Sequence, residues 1–289
     1  VSPAELRRAR LDREPRPRSR PKMVAIDLDD TLLEADLTLS KECVSTLRRA
    51  QEAGIKVVIA TGRMFRATLP IALELGLDGY LITYNGALIR SVSGETVWHR
   101  PVPADQAKEM IAIASEMDFR LNFYIDDNLV VDGIDERVEY YLQIAQVEPQ
   151  VVDDLAEVLV HGEPTKCLLV GDAEQVTEAV PGLQARFPEL QIARSRPRFI
   201  EVTRRGVRKE VGVAKVAELY GIAMEDVMAI GDGDNDVSML EHAGLGVAVA
   251  NASAKAKAAA DLVTAGERGA GVCEAVRRFV LDASADLEV

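Results

Sequence analysis

Residues 23–28, MVAIDL, begin as an apolar run without alternation and end in acid, with Asp27, Asp29 and Asp30 crowding the end of the run. A short continuous apolar run is the pattern of a strand buried on both faces, as a parallel sheet requires. In open parallel sheets ligands bind at the carboxyl ends of the strands. Carboxylates gathered there oppose one another's ionisation, and a bound cation relieves that opposition. The stretch therefore predicts a parallel α/β core with a metal-dependent acidic site at the end of its first strand.

The pattern downstream agrees. Ser40 is placed to cap a helix over 41–53, and Gly54 stands where a helix C-terminus favours glycine. A second buried-type strand, 55–60, runs into Thr61, Gly62 and Arg63. A helix over 64–75 closed by Gly76 and a strand over 80–83 follow, then Asn85 and Gly86. Strands and helices alternating at this spacing imply right-handed crossovers in one parallel sheet. The character changes at 87. A hairpin (87–89 with 96–99), a helix (104–117), strands (120–125, 129–131), a helix (137–145), a strand (166–170) and a helix (173–187) suggest an inserted α+β unit. From 199 the parallel pattern is expected to resume, with a helix over 209–220, a strand over 227–230, helix 237–242 and strand 246–249. Ser253 caps a further helix, strand 262–263 follows, and a terminal helix starts near 272. The predicted division is a leader, 1–21; a core, 22–86 with 200–289; and an insertion, 87–199. Hinges are expected at Asn85-Gly86 and 197–200.

The chain of 289 residues is 48% hydrophobic, the make-up of an ordinary globular protein. Its net charge of −13 argues against general affinity for nucleic acid or an anionic membrane. Cys43, Cys167 and Cys273 lie far apart, with no metal-ligand spacing, and read as small apolar thiols in a reducing, cytoplasmic setting. No apolar stretch approaches the ~18 residues of a membrane span. The Arg- and Pro-rich leader lacks a signal core and reads as a flexible tether. Oligomeric state is not legible.

Two acidic clusters follow apolar strands about two hundred residues apart: DLDD at 27–30 and GDGDND at 231–236. Each aspartate alone is explained as well by a turn or helix cap. Together, at two strand ends, they suit Mg²⁺, a hard ion that takes one or two protein carboxylates. Asp27 and Asp232 are the natural pair. Thr61-Gly62 offers a hydroxyl and backbone N–H groups at another strand end, either as an anion cradle or as a plain N-cap turn. Lys209 opens a helix, where the dipole disfavours a cation; it either faces the site or is an exposed lysine.

The ordered set DLDDTLL (27–33), ATGR (60–63), TYNGA (83–87), the lysine of GVRKE (206–210) and IGDGDNDVSML (230–240) resembles the haloacid dehalogenase superfamily of phosphatases, in its Cof-type branch with a type IIB cap. The resemblance implies a Rossmann-like α/β core with an inserted cap. It implies that Asp27 is the nucleophile and Asp29 the general acid/base. Thr61 and Gly62 would hold phosphoryl oxygens, and Arg63 could bind substrate. Lys209 would neutralise charge, and Asp232 would bind Mg²⁺ with Asp27 and the main-chain carbonyl of Asp29. Asn235 and Asp236 would support the phosphoryl group and the metal. Arg208 and Glu210 flank Lys209 where relatives carry a small residue and a glycine, so Arg205 or Arg208 could also enter the site. The expected activity is Mg²⁺-dependent hydrolysis of small phosphorylated metabolites, sugar phosphates foremost, through an aspartyl-phosphate. The alternatives are a phosphotransferase or phosphomutase on the same scaffold, and a non-enzymatic, phospho-accepting receiver-like module.

Overall fold

The structure is a computed structural model that describes residues 20–145 and 147–282; nearly all of the expected leader lies outside them. In chain order the first elements are β1 (Met23–Ile26), α1 (Lys41–Glu52), β2 (Lys56–Ala60), α2 (Phe65–Glu74), β3 (Tyr80–Thr83), β4 (Leu88–Ser91) and β5 (Thr96–His99). Then come α3 (Ala104–Glu116), β6 (Arg120–Ile125), β7 (Asn128–Val131), α4 (Glu136–Ala145), β8 (Pro149–Val151), α5 (Leu155–Val158), β9 (Lys166–Val170), α6 (Ala173–Arg186), β10 (Leu190–Arg196) and β11 (Phe199–Arg204). The chain closes with α7 (Lys209–Leu219), β12 (Val227–Gly231), α8 (Val237–His242), β13 (Leu245–Ala248), α9 (Ala254–Ala259), β14 (Leu262–Val263) and α10 (Arg268–Val276). The expected local signals operate: the Ser40 hydroxyl accepts from the Cys43 N–H at 3.1 Å, and Gly54 and Gly76 adopt positive φ.

The first sheet has the order β14-β13-β12-β1-β2-β3-β4-β5, with the six strands from β14 to β3 parallel. All four residues of β1 are fully buried, as a central strand covered on both faces must be. Successive strands move outward from β1 through β2 to β3, and from β12 through β13 to β14. The seam between β1 and β12, with Ile26 opposite Ile230, is thus the topological switch point, where a crevice opens at the carboxyl ends.

The chain divides into two compact units, one made of the residues up to Val97 and from Arg208 onward, the other of Trp98–Val207. This moves the expected boundaries at 86/87 and 199/200. Period-2 alternation marked the 87–99 hairpin as antiparallel but could not say which sheet it joins; β4 pairs with β3 and extends the first sheet. Phe199 does not resume the parallel pattern, because β11 pairs antiparallel with β9 and β10. The expected hinge at Asn85-Gly86 is a packed turn. Gly86 has φ 98°, and a Cβ there would lie 2.5 Å from the Arg208 carbonyl oxygen. The other expected hinge, 197–200, takes in the turn 197–198 between β10 and β11 and the first two residues of β11.

The second unit contains a sheet of order β10-β11-β9-β6-β7-β8. Alternate residues Leu121, Phe123, Cys167, Leu169, Ile200 and Val202 turn to one face and share a core with Met110 of α3 and Val176 of α6. Strand β8 and helix α5 lie between α4 and β9, where the sequence pattern predicted no element; Asp154 caps α5 through the Ala156 N–H at 2.7 Å. Helix α10 begins at Arg268 rather than 272, since Gly269 and Gly271 weaken its sequence signal. Among the described residues no helix is long and apolar enough to cross a membrane.

Candidate active site

Asp27 follows β1 and Asp232 follows β12, on the two sides of the switch point. The Asp27 N–H donates to the Ile230 carbonyl at 3.0 Å, which continues the β1–β12 ladder one residue into the site. Lys209, the first residue of α7, is wholly buried. Its ammonium donates to Asp27 Oδ1 and, at 2.6 Å, to Asp236 Oδ1. The other oxygen of Asp236 accepts from the N–H groups of Asp232 and Gly233 at 3.0 and 2.8 Å. Asp236 thereby folds the 231–236 loop back on itself and anchors Lys209. The Thr31 hydroxyl donates to Asp232 Oδ1 at 2.6 Å.

Carboxylate oxygens of Asp27, Asp232 and Asp236 lie within 4.8 Å of one another. Burial drives the Asp27 carboxyl up to about 8, against the downward pull of Lys209. Burial raises Asp232 as well, against the Thr31 hydrogen bond. On Lys209 burial works against the charge, but Asp236 and Asp27 outweigh it and hold the ammonium above the ordinary lysine range. Three carboxylates thus lie together with one ammonium, which two of them touch. The cluster lacks positive charge and its donors are hard oxygens, which fits a divalent ion.

Thr61 directly follows β2, the neighbour of β1, and so stands at the same sheet edge. It is buried, and its hydroxyl oxygen accepts from the Arg63 N–H at 3.2 Å, which leaves the hydroxyl hydrogen to donate. Asp29 is brought to Arg63 rather than into the carboxylate cluster: Arg63 Nε donates to Asp29 Oδ2 at 2.9 Å. Asn235 is exposed and donates to the Asn85 side-chain oxygen at 3.1 Å. Arg208 pairs with Glu210 at 2.6 Å, and Arg205 donates to the Pro188 carbonyl at 2.6 Å. Of Lys209 and Arg208, Lys209 is the one that meets Asp27.

From sequence Asn85 was read as a hinge and as part of the TYNGA motif, without a role of its own. The structure places it beside Thr61, Gly62 and Asn235. Tyr84 and Asn85 both have left-handed backbones, φ 51° and 55°, and Gly86 follows with φ 98°. The Asn85 N–H donates to the Thr61 carbonyl at 2.9 Å, and its carboxamide lies against Gly62, where a Cβ would approach it to 3.2 Å. The usable signal was Asn-Gly after a strand, because asparagine tolerates the left-handed region better than most residues.

Residues 24–276 match the sequence model of the haloacid dehalogenase-like hydrolases. A 5-amino-6-(5-phospho-D-ribitylamino)uracil phosphatase of Bacillus subtilis is 34% identical over 261 residues, covering 90% of this chain and 96% of that protein. A haloacid dehalogenase-like hydrolase from Bacteroides thetaiotaomicron superposes with TM-score 0.81 at 31% identity, covering 90% of this chain and 99% of the other. The subclass IIB sugar phosphatase BT4131 superposes with TM-score 0.74 at 29% identity, covering 89% and 98%. Both structural relatives span the two units. With the motifs in order along the chain and gathered at the switch point, the chain belongs to the haloacid dehalogenase-like hydrolases, as a phosphatase of their Cof-type, subclass IIB branch.

Proposed function

We propose that this phosphatase hydrolyses small phosphorylated metabolites, sugar phosphates foremost, through a phosphorylated Asp27 and with Mg²⁺. The observation that carries the reading is the buried contact of Lys209 with Asp27 beside Asp232. The relatives named above support the substrate class, since one acts on a phosphorylated ribityl chain and another is a sugar phosphatase.

Asp27 attacks phosphorus, and the ester oxygen leaves. Lys209 neutralises the Asp27 carboxylate and the charge that builds on the phosphoryl oxygens. The Thr61 hydroxyl, the Gly62 N–H and Asn235 bind those oxygens, and Arg63 contributes its guanidinium at the edge of the site. Asp29 protonates the leaving alcohol, then takes a proton from the water that attacks the acyl-phosphate and regenerates Asp27. That role requires Asp29 to exchange Arg63 for the leaving oxygen. Asp27, Asp232 and the main-chain carbonyl of Asp29 would hold Mg²⁺, which when bound neutralises charge in the carboxylate cluster and on the phosphoryl group. Asp236, both of whose oxygens are engaged, keeps Lys209 and the loop in place.

A panel of phosphomonoesters tests the reading. Turnover falls by about 100-fold or more when the protein is stripped with EDTA, and Mg²⁺ restores it. Hydrolysis indifferent to divalent ions contradicts the proposal. Transfer of phosphate to an added sugar in excess of its release to water identifies a phosphotransferase, and a long-lived acyl-phosphate with little turnover identifies a receiver.

Asn85 is a positioning residue in this scheme. Asn85→Gly keeps the left-handed backbone and deletes the carboxamide. The expected result is a rise of about three- to tenfold in KM and in the inhibition constant for inorganic phosphate, with kcat changed less. Unchanged values for both constants would remove Asn85 from the site.

A further inference from the structure

Cys43 and Cys273 are 230 positions apart in the chain, on α1 and α10, yet their sulfurs lie 3.1 Å apart in the buried interface of those helices. A disulfide needs about 2.05 Å, so the sulfurs are about one ångström from bonding distance. The approach is built in: a Cβ at Gly269 would lie 2.7 Å from the Cys43 sulfur, so the first turn of α10 packs directly on that thiol. Cys43 also lies 3.0 Å from the Gly269 carbonyl, to which its S–H can donate. Neither thiol belongs to the acidic site.

We infer that Cys43 and Cys273 form a redox-sensitive dithiol, which hydrogen peroxide converts into an intramolecular disulfide. Cys273 is the attacking thiol, because the Cys43 S–H is held by the Gly269 carbonyl, which keeps Cys43 in its protonated form. The Cys273 thiolate attacks one peroxide oxygen and the O–O bond breaks. The products are a sulfenic acid and, after proton uptake, one water. The Cys43 sulfur then attacks the sulfenic sulfur. The S–S bond forms, the S–O bond breaks, and hydroxide leaves with the Cys43 proton as a second water. Two thiols are oxidised, and one peroxide is reduced to two waters. The first compact unit is built from two chain segments that the second unit separates. This disulfide joins those segments covalently.

The experiment uses the full chain and hydrogen peroxide. After oxidation the protein is unfolded, its remaining thiols are alkylated with iodoacetamide, and a non-reducing digest is analysed by mass spectrometry. The expected result is one cross-linked peptide pair containing Cys43 and Cys273, two hydrogens lighter than the free pair, with Cys167 alkylated. Cys167 is the internal control, being buried in the second unit. Melting temperature rises by about 5 °C on oxidation and returns on adding dithiothreitol. Cys43→Ser and Cys273→Ser each abolish both effects, and the wild-type digest decides the matter should either variant fold poorly. Alkylation of both cysteines after peroxide, or their recovery as sulfinic or sulfonic acids without a cross-link, overturns the inference. A cross-link that leaves the melting temperature unchanged or lower overturns the stapling role.

Discussion

Asp27→Asn lowers kcat by about 10⁴-fold or more, with folding retained. The loss is large because in the proposed mechanism the Asp27 carboxylate attacks phosphorus, and an amide of the same size is a poor nucleophile. Structural damage is small, since the carboxamide fills the same volume and Lys209 keeps Asp236 as a partner at 2.6 Å. Steady-state kinetics on any substrate from the phosphomonoester panel, with circular dichroism to confirm folding, make the check. Turnover near the wild-type rate would show that a different atom attacks phosphorus.

Lys209→Ala produces the second large effect, on two separate readouts. In the proposed mechanism Lys209 stabilises the transition state, and removing one such charge costs about 10²–10³ in kcat. The same change deletes the counter-ion of two buried carboxylates, Asp27 and Asp236. Leaving buried charges unpaired costs about 3–5 kcal/mol, so the denaturant midpoint of the metal-free protein falls well below that of the wild type. Arg208 does not compensate, because it pairs with Glu210. A variant with unchanged kcat would assign the neutralising charge to another group.

Much of this architecture was written in local patterns. The unbroken apolar run of β1 and its acidic end marked a buried parallel strand and the edge where a ligand binds. Ser40, Gly54 and Gly76 set helix boundaries by capping and by backbone freedom, which are local properties. The second aspartate cluster announced itself in the same way, after β12. What could not be read depended on contacts across the chain. Strands β4 and β5 have hairpin alternation, but partner choice is a tertiary matter, so their membership of the first sheet was missed. The hairpin of β10 and β11 was missed for the same reason, and the return to the first unit was placed at 199 instead of 208. Asn85 looked like a loose joint, because Asn-Gly signals a turn without saying what packs on it. Cys43 and Cys273 have no motif at all, and only the packing of α1 on α10 brings them together. Asp29 is a subtler case: its place in the motif was plain, but its engagement with Arg63 required the fold.

Trapping the covalent enzyme tests the account at its centre. The protein is mixed with a phosphomonoester and Mg²⁺, quenched within the first turnover, and reduced with borohydride, which converts an aspartyl-phosphate to homoserine. Peptide mass spectrometry should find homoserine at position 27 and leave Asp29 and Asp232 as aspartate. Homoserine at another position, or none while phosphate is being released, would contradict it.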